Sequence, residues 1–158
     1  MTTNIERALT TLQARVGSAD TGAWHTVDQA QINAFADATL DHQFIHIDPV
    51  AAAARSPYKV TIAHGFLTLS MVPHLVGSAL GDEPKLEGLV AGINYGLDRV
   101  RFPTPVKVGS RIRARCELIG VEQVTPNALQ LKRKVTVEID GEAKPGCIAE
   151  TLARLVFA

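Results

Sequence analysis

Two hydrophobic periodicities divide the chain near Gly88. Before this glycine, apolar residues recur at spacings of three and four, as in Leu9, Leu12 and Val16, which is the repeat of a helix with one buried face. After it, apolar and polar residues alternate, most clearly over residues 129–139, which predicts a half-buried antiparallel strand. The chain is therefore predicted to form helices first and strands second.

Capping residues indicate where the first two helices begin. Thr3 or Asn4 can cap a helix that runs to about Val16, because short polar side chains accept hydrogen bonds from the free N–H groups of a first helical turn. Asp28 is followed three residues later by Gln31, which is the spacing of a capping box and predicts the start of a second helix.

A third helix is predicted to begin at Asp48. Aspartate is a favoured N-cap, and the following Pro49 has the backbone angle of a first helical position. We expect the second helix to deliver Asp41 at its C-terminal end. His46 is then expected to lie in the short connection between the second and third helices.

The segment after His64 is apolar on nearly every face, which predicts a helix in the core of the protein. Pro73 cannot donate a backbone N–H within that helix, so we expect a kink there or an end shortly before it. Gly77 and Gly81 mark the exit of the helix. Its apolar residues are Phe66, Leu67, Leu69, Met71, Val72, Leu75 and Val76.

Four strand segments are predicted after Gly88, separated by turns that contain proline, asparagine or glycine. They cover residues 90–97, 110–121, 129–139 and 148–157, and their order fits successive hairpins. One apolar helix followed by several long antiparallel strands favours an α+β architecture, in which a curved sheet wraps around a central helix.

Length and composition fit one globular domain over residues 1–158. The chain is 46% hydrophobic and 20% charged, which is ordinary for a folded protein. Its formal net charge is zero, so it has no general electrostatic attraction to nucleic acid or to an anionic membrane. Any binding site for a phosphorylated ligand must be a local basic patch.

The two cysteines, Cys116 and Cys147, lie in strand-like segments and have no neighbouring cysteine or metal-ligand spacing. We expect core thiols instead of a disulfide or a zinc site, which fits a reducing compartment. The first fifteen residues lack the apolar core of a secretory signal, and no apolar run is long enough to cross a bilayer. A cytoplasmic protein is therefore predicted.

Asp41 and His46, five residues apart, are the strongest candidates for chemistry. A buried carboxylate beside an imidazole can hold a water molecule or accept its proton, because burial raises the affinity of the carboxylate for a proton. Gly65 lies near the start of the apolar helix, where a substrate carbonyl oxygen can approach its backbone N–H closely. Together these residues suggest addition or removal of water.

Each of these residues also has a structural interpretation. Asp41 can shape a turn at a helix end, and His46 can be a hydrogen-bonded core histidine. Gly65 can serve only the close packing of helix against sheet. His64 is expected to be structural. No metal is predicted, because the remaining histidines lack metal-ligand spacing with an acidic or cysteine partner; they are His25, His42 and His74.

Two segments of the chain resemble the MaoC-like dehydratases and R-specific enoyl-CoA hydratases. They are residues 35–49, FADATLDHQFIHIDP, and residues 62–67, IAHGFL. The resemblance implies a hot-dog fold and a homodimer. It also implies that Asp41 and His46 are the catalytic pair, which hydrates a trans-2-enoyl thioester of coenzyme A or acyl carrier protein to the (R)-3-hydroxyacyl product without a separate cofactor.

Gln43 and Phe44 depart from the common hydratase pattern, which has asparagine and proline at these positions. The sequence here is closer to the nodulation-protein-N-like branch of the family, so the resemblance supports the chemistry better than the identity of the substrate. An apolar tunnel for the acyl group is expected beside the central helix. The residues available to line it are Phe35, Phe44, Ile45, Phe66 and Leu67.

Two other functions stay open from the sequence. A hot-dog thioesterase would need an acid or base on or near the central helix, but residues 66–80 include no acidic residue. A noncatalytic acyl-thioester binding protein would keep the fold with an altered pocket. The hydratase hypothesis differs from these two alternatives because it requires Asp41 and His46 to act together.

Overall fold

An antiparallel sheet forms the framework of the computed structural model, which describes residues 2–81 and 83–158. The strand order is β1-β4-β5-β6-β3, and β2 pairs with β4 beside β1. The strands are β1 (Ala19–Thr21), β2 (His25–Thr26), β3 (Leu89–Arg101), β4 (Arg111–Thr125), β5 (Ala128–Ile139) and β6 (Cys147–Phe157).

The helices precede the long strands, as the change of periodicity predicts. They are α1 (Asn4–Gln13), α2 (Gln29–Thr39), α3 (Phe44–Ile47), α4 (Pro49–Arg55), α5 (Gly65–Ser70) and α6 (Val72–Ala79).

The predicted helix starts are confirmed at all three capping sites. Thr3 and Glu6 form a complete capping box on α1, Asp28 accepts a hydrogen bond from the backbone of Gln31 at 2.8 Å on α2, and Asp48 caps α4. The first helix is shorter than predicted. It ends at Gln13, because residues 14–17 form turns that lead the chain into β1.

The prediction of successive hairpins is confirmed for β4, β5 and β6 but is wrong for β3. β3 pairs with β6 and forms an edge of the sheet. The reason lies in the link between β3 and β4. Its backbone forms hydrogen bonds with the segment before α5 instead of making a tight turn. Ala63 N–H donates to Val106 O at 2.7 Å, and Val108 N–H donates to Thr61 O at 2.9 Å.

β3 and β4 extend beyond the predicted ends to Arg101 and Thr125. Both strands contain register shifts, one between Asp98 and Arg101 and another between Leu118 and Gly120. Such irregularities bend a strand without ending its pairing, which explains why periodicity alone gave shorter segments.

The central helix is broken at Met71, which ends α5 and precedes α6. Pro73 lies in the first turn of α6, so the predicted interruption near this proline is confirmed. Leu67 and Leu75 are buried in a core cluster with residues of β4, β5 and β6. The prediction that this helix is wholly in the core is wrong for one face, since Phe66 is 69% exposed.

Both cysteines are free and buried, so the prediction of core thiols is confirmed. Burial raises the pKa of each thiol to about 11, which leaves both Cys116 and Cys147 in the unreactive protonated form near neutral pH. Within residues 2–81 and 83–158, no helix has the length and apolar character needed to span a bilayer.

Candidate active site

Asp41 lies just beyond α2 instead of in its last turn. The helix ends at Thr39, and Leu40 adopts a left-handed conformation with φ of 62°, which turns the chain away from the helix axis. The Asp41 carboxylate accepts a long hydrogen bond from the Gln43 backbone at 3.4 Å. The predicted burial of this carboxylate is wrong for the isolated chain, because 56% of the Asp41 side chain is exposed.

His46 lies on the short helix α3. The sequence predicts only a short connection at this position, so this helix is an addition to the prediction. Two tertiary hydrogen bonds hold this helix: Gln29 Nε2 donates to His46 O at 2.7 Å, and Ile62 N–H donates to Ile45 O at 3.0 Å. The side chain of His46 is buried. Its position is therefore set by α2 on one side and by the segment before α5 on the other.

A hydrogen bond assigns the tautomer of His46. Nδ1 lies 2.7 Å from Ile62 O, and a carbonyl oxygen only accepts, so Nδ1 carries the hydrogen and donates. Nε2 then carries a lone pair in the neutral ring. This leaves Nε2 available to accept a proton or a hydrogen bond from water.

The pKa of His46 is lowered from its ordinary value of 6.5. Burial is the largest cause, because it disfavours the charged ring, and repulsion from His64 acts in the same direction. The bond to Ile62 and the charge of Asp41 oppose the shift. His46 is therefore neutral near pH 7, which is the state required to accept a hydrogen bond from water.

The structure brings Asp41, His46 and His64 into one cluster. A carboxylate oxygen and one ring nitrogen of each histidine all lie within 4.8 Å of one another. The two imidazole rings stack with their centroids 3.8 Å apart and an interplanar angle of 24°. His64 Nε2 donates to the backbone carbonyl of Asp41 at 2.9 Å. The predicted pair is thus accompanied by His64, for which the sequence predicts only a structural role.

This cluster has the residue types of a metal site but an unfavourable arrangement for one. The rings of His46 and His64 are stacked and nearly parallel, so their in-plane lone pairs do not converge on one point as tetrahedral ligands must. Nδ1 of His46 and Nε2 of His64 are also engaged with backbone carbonyls. The absence of a metal stays a prediction.

Gly65 and His46 line the same cavity, which has a volume of about 320 Å³. Gly65 is the first residue of α5, and a first-turn N–H has no acceptor within its helix. A Cβ atom at Gly65 would lie 3.0 Å from the ring of Phe102, so this glycine also permits close packing. Both interpretations of Gly65 are compatible with its surroundings.

The cavity is formed mainly by the segments that flank β3 and α5. None of the five apolar residues expected from the sequence to line an acyl tunnel is among its walls. The lining residues are His46, Tyr58, Ile62, Ala63, Gly65, Thr68, Phe102, Pro103, Thr104, Pro105, Val106 and Gly146.

A family model described as "MaoC like domain" matches residues 12–139. The chain belongs to the MaoC-like dehydratase family. Two relatives agree with this assignment. The 3-hydroxyacyl-thioester dehydratase Z of Mycobacterium tuberculosis is 48% identical over 142 residues, which are 90% of this chain and 89% of the relative. Nodulation protein N of Rhizobium meliloti is 48% identical over 137 residues, 87% of this chain and 83% of the relative.

The fold has a close counterpart among solved structures. The (R)-hydratase from A. caviae aligns with a TM-score of 0.69 at 23% identity, covering 87% of this chain and 94% of that one. This likeness confirms the hot-dog fold, with its antiparallel sheet and central helix. The similarity to nodulation protein N confirms the branch that Gln43 and Phe44 indicated.

Three features of the site were missed from the sequence. The acceptor for His46 is the backbone carbonyl of Ile62, and backbone groups leave no residue-type signal. Phe102 joins the cavity across a long sequence separation. His64 had a detectable signal, since it precedes Gly65 in the motif that also carried the family resemblance.

Proposed function

We propose that the protein adds water reversibly to trans-2-enoyl thioesters of coenzyme A or acyl carrier protein, giving (R)-3-hydroxyacyl thioesters. The observation that carries this proposal is the state of His46. Its ring is neutral, its Nδ1–H is engaged with Ile62 O, and a ring nitrogen of His46 lies within 4.8 Å of an Asp41 carboxylate oxygen. Membership of the MaoC-like family supports the same chemistry.

Asp41 and His46 would hold one water molecule between them. Both the carboxylate and Nε2 accept hydrogen bonds, so together they can bind the two hydrogens of a water and direct its oxygen lone pair at the β-carbon of the substrate. The C–O bond forms at the β-carbon as Asp41 takes one proton of the water. The same pair then delivers a proton to the α-carbon, and dehydration runs through these steps in reverse.

Addition at the β-carbon moves negative charge onto the thioester oxygen. The backbone N–H of Gly65 has no acceptor within α5 and borders the cavity that His46 also lines. Its hydrogen bond to the thioester oxygen would strengthen as the charge develops. Gly65 is therefore assigned the oxyanion-binding role in this proposal.

A second copy of this chain is the partner that we assign to the exposed side of β3. Among the residues that the structure describes, no strand pairs with the outer edge of β3. Several of its apolar residues are exposed, with Val90 at 67% and Ile93 at 52%. Phe66 on the open face of α5 is also exposed. A homodimer that joins two sheets through β3 would cover these groups.

The reaction can be tested with purified protein and trans-2-enoyl-CoA substrates of several chain lengths. Loss of the absorbance of the conjugated thioester, without release of free thiol, is expected. Chiral analysis of the product should give the (R)-3-hydroxyacyl thioester. Thiol release would instead favour a thioesterase. Binding without either signal would contradict the hydratase assignment and favour a noncatalytic acyl-thioester binding protein.

A further inference from the structure

His64 touches both members of the Asp41–His46 pair, although the chemistry proposed above uses neither of its nitrogens. It lies at the N-cap position of α5, and its side chain makes no capping hydrogen bond there. The ring instead extends away from the helix towards the segment that follows α2. A role in capping therefore does not explain why a histidine stands here.

The first contact fixes the backbone at Asp41. His64 Nε2 donates to Asp41 O at 2.9 Å, across 23 positions of sequence. Asp41 follows the left-handed Leu40, outside any helix. Its carboxylate accepts a long hydrogen bond from Gln43 N–H at 3.4 Å and lies 4.0 Å from His64 Nε2. The bond from His64 is therefore a strong tertiary restraint on where the carboxylate projects.

The second contact fixes the plane of the His46 ring. The two rings stack at 3.8 Å, and Phe35 of α2 packs against His64 with ring centroids 5.0 Å apart. Rotation of the His46 ring would break both this stack and the Nδ1 bond to Ile62. The direction of the Nε2 lone pair is thus set by two independent contacts.

The other nitrogen of His64 indicates that this residue is not optimal for packing alone. Only 3% of His64 is exposed, and its Nδ1 has no hydrogen-bond partner among the residues that the structure describes. A buried polar atom without a partner costs stability, whereas an aromatic hydrocarbon ring would fill similar space without that cost. A purely structural site would not require this nitrogen.

We propose that His64 is a positioning residue, which holds the backbone of Asp41 and the ring plane of His46 in one fixed relation. This inference rests on the proposed hydratase function. The titratable groups around His46 are Asp41 after α2, His64 before α5 and Tyr58 in the cavity wall. Arg55 of α4 lies over the ring of Phe44, which belongs to α3 together with His46.

Two variants separate the contacts of His64. His64→Phe keeps a flat ring for stacking but loses the donor to Asp41 O, whereas His64→Gln keeps an amide donor near the position of Nε2 but loses the ring. His74 offers matched controls, His74→Phe and His74→Gln. It belongs to a second histidine pair, 5.4 Å from His25, and it is exposed and outside the site.

The readouts are kcat and KM for enoyl-CoA hydration and the pKa of His46 measured by NMR. We expect His64→Phe to lower kcat about 10- to 100-fold with little change in KM, because misplacement on the order of 1 Å has effects of this size. His64→Gln should retain more of kcat. In both variants the pKa of His46 should rise, since the repulsion from His64 is gone, and the His74 variants should match wild type.

A wild-type kcat in folded His64→Phe would overturn the inference. If His64→Phe fails to fold, an unchanged kcat together with an unchanged pKa of His46 in His64→Gln would overturn it. Wild-type protein without hydratase activity would defeat the proposed function but not this test. The NMR titration alone would then decide whether His64 controls the environment of His46.

Discussion

The protonation state of His46 is set by burial and by one backbone hydrogen bond. Ile62 O holds the hydrogen on Nδ1, and burial lowers the pKa of the ring. Asp41, in contrast, is partly exposed and depends on neighbours for its orientation. At the scale of single residues, the pair therefore divides into a fixed neutral imidazole that can accept a hydrogen bond from the water and a carboxylate that must be held in place.

Replacing Asp41 by asparagine should reduce hydration by at least about 100-fold, because the amide cannot accept the proton of the water. The change is nearly isosteric, so the unfolding temperature and thioester binding should stay close to wild type. Asp37→Asn is the matched control, since Asp37 lies in the same region but pairs with His42 on the surface. Steady-state kinetics on all three proteins would check this, and normal turnover by Asp41→Asn would refute its assignment as base.

His46 should make stability depend on pH. Its pKa is about 6.5 in the unfolded chain and lower in the folded protein, so the unfolded state binds the proton more readily between these two values. The contribution is fully present above the unfolded pKa and is lost as pH falls through the folded pKa. Urea unfolding from about pH 7.5 to about pH 5 should show a smaller loss of stability for His46→Gln than for wild type. Equal slopes would contradict the lowered pKa.

Gly65→Ala should lower kcat/KM roughly 10-fold, less than the ~100-fold effect of a full ångström of misplacement. The added Cβ would meet the Phe102 ring at 3.0 Å, so this ring must shift within the cavity wall. Gly77→Ala on α6 is the control, because its Cβ would meet no atom of the described residues within 4 Å. Kinetics with circular dichroism would distinguish a crowded cavity from a disturbed fold, and wild-type turnover would exclude a role for this close approach.

Among the elements, the junction after α2 matters most for the site. Leu40 ends this helix in a left-handed conformation with its side chain 81% exposed. The next residue is Asp41, and α3 with His46 begins at Phe44. The local backbone at Leu40 therefore decides the direction in which the chain carries the carboxylate towards His46.

Leu40→Gly should stabilise the protein by about 1 kcal/mol, since the left-handed conformation is unfavourable for leucine and the exposed side chain contributes little packing. Ala38→Gly, within α2, is the opposite control and should destabilise by about 1 kcal/mol. Chemical denaturation of both variants would measure these changes. Destabilisation by Leu40→Gly would mean that the Leu40 side chain makes a contact in the native assembly.

For the whole molecule, the exposed side of β3 is the feature that a single chain leaves unexplained. The strand is long, several of its apolar side chains are exposed, and within residues 2–81 and 83–158 no strand pairs with its outer edge, a combination that folded proteins normally cover. Phe66, on the open face of α5, directly follows Gly65, which lines the cavity beside His46. Assembly and activity are therefore expected to depend on the same region.

Ile93→Lys should convert the proposed dimer to a monomer, because it places a charge on the apolar strand that would lie at the interface. Val50→Lys is the control, since Val50 is even more exposed, at 82%, but lies on α4. Light scattering with size-exclusion chromatography would measure the masses. A monomeric wild type, or a dimer that survives Ile93→Lys, would refute this interface.

The sequence by itself determined the features that depend on near neighbours. Thr3, Asp28 and Asp48 begin helices because each caps backbone groups within three residues. The alternation of apolar and polar residues predicted both ends of β5 to within one residue, since one face of that strand is buried. The spacing of Asp41 and His46, with the motif at His64 and Gly65, was enough to indicate the family.

Only the tertiary structure decided how these parts meet. β3 lies beyond β6 because the link after it bonds to residues 61–63, and α3 is held by Gln29 and by the backbone of Ile62. His64 reaches Asp41 O across 23 positions. Contacts of this kind join segments distant in the chain, many of them through backbone atoms that every residue shares, so no local pattern of side chains could specify them.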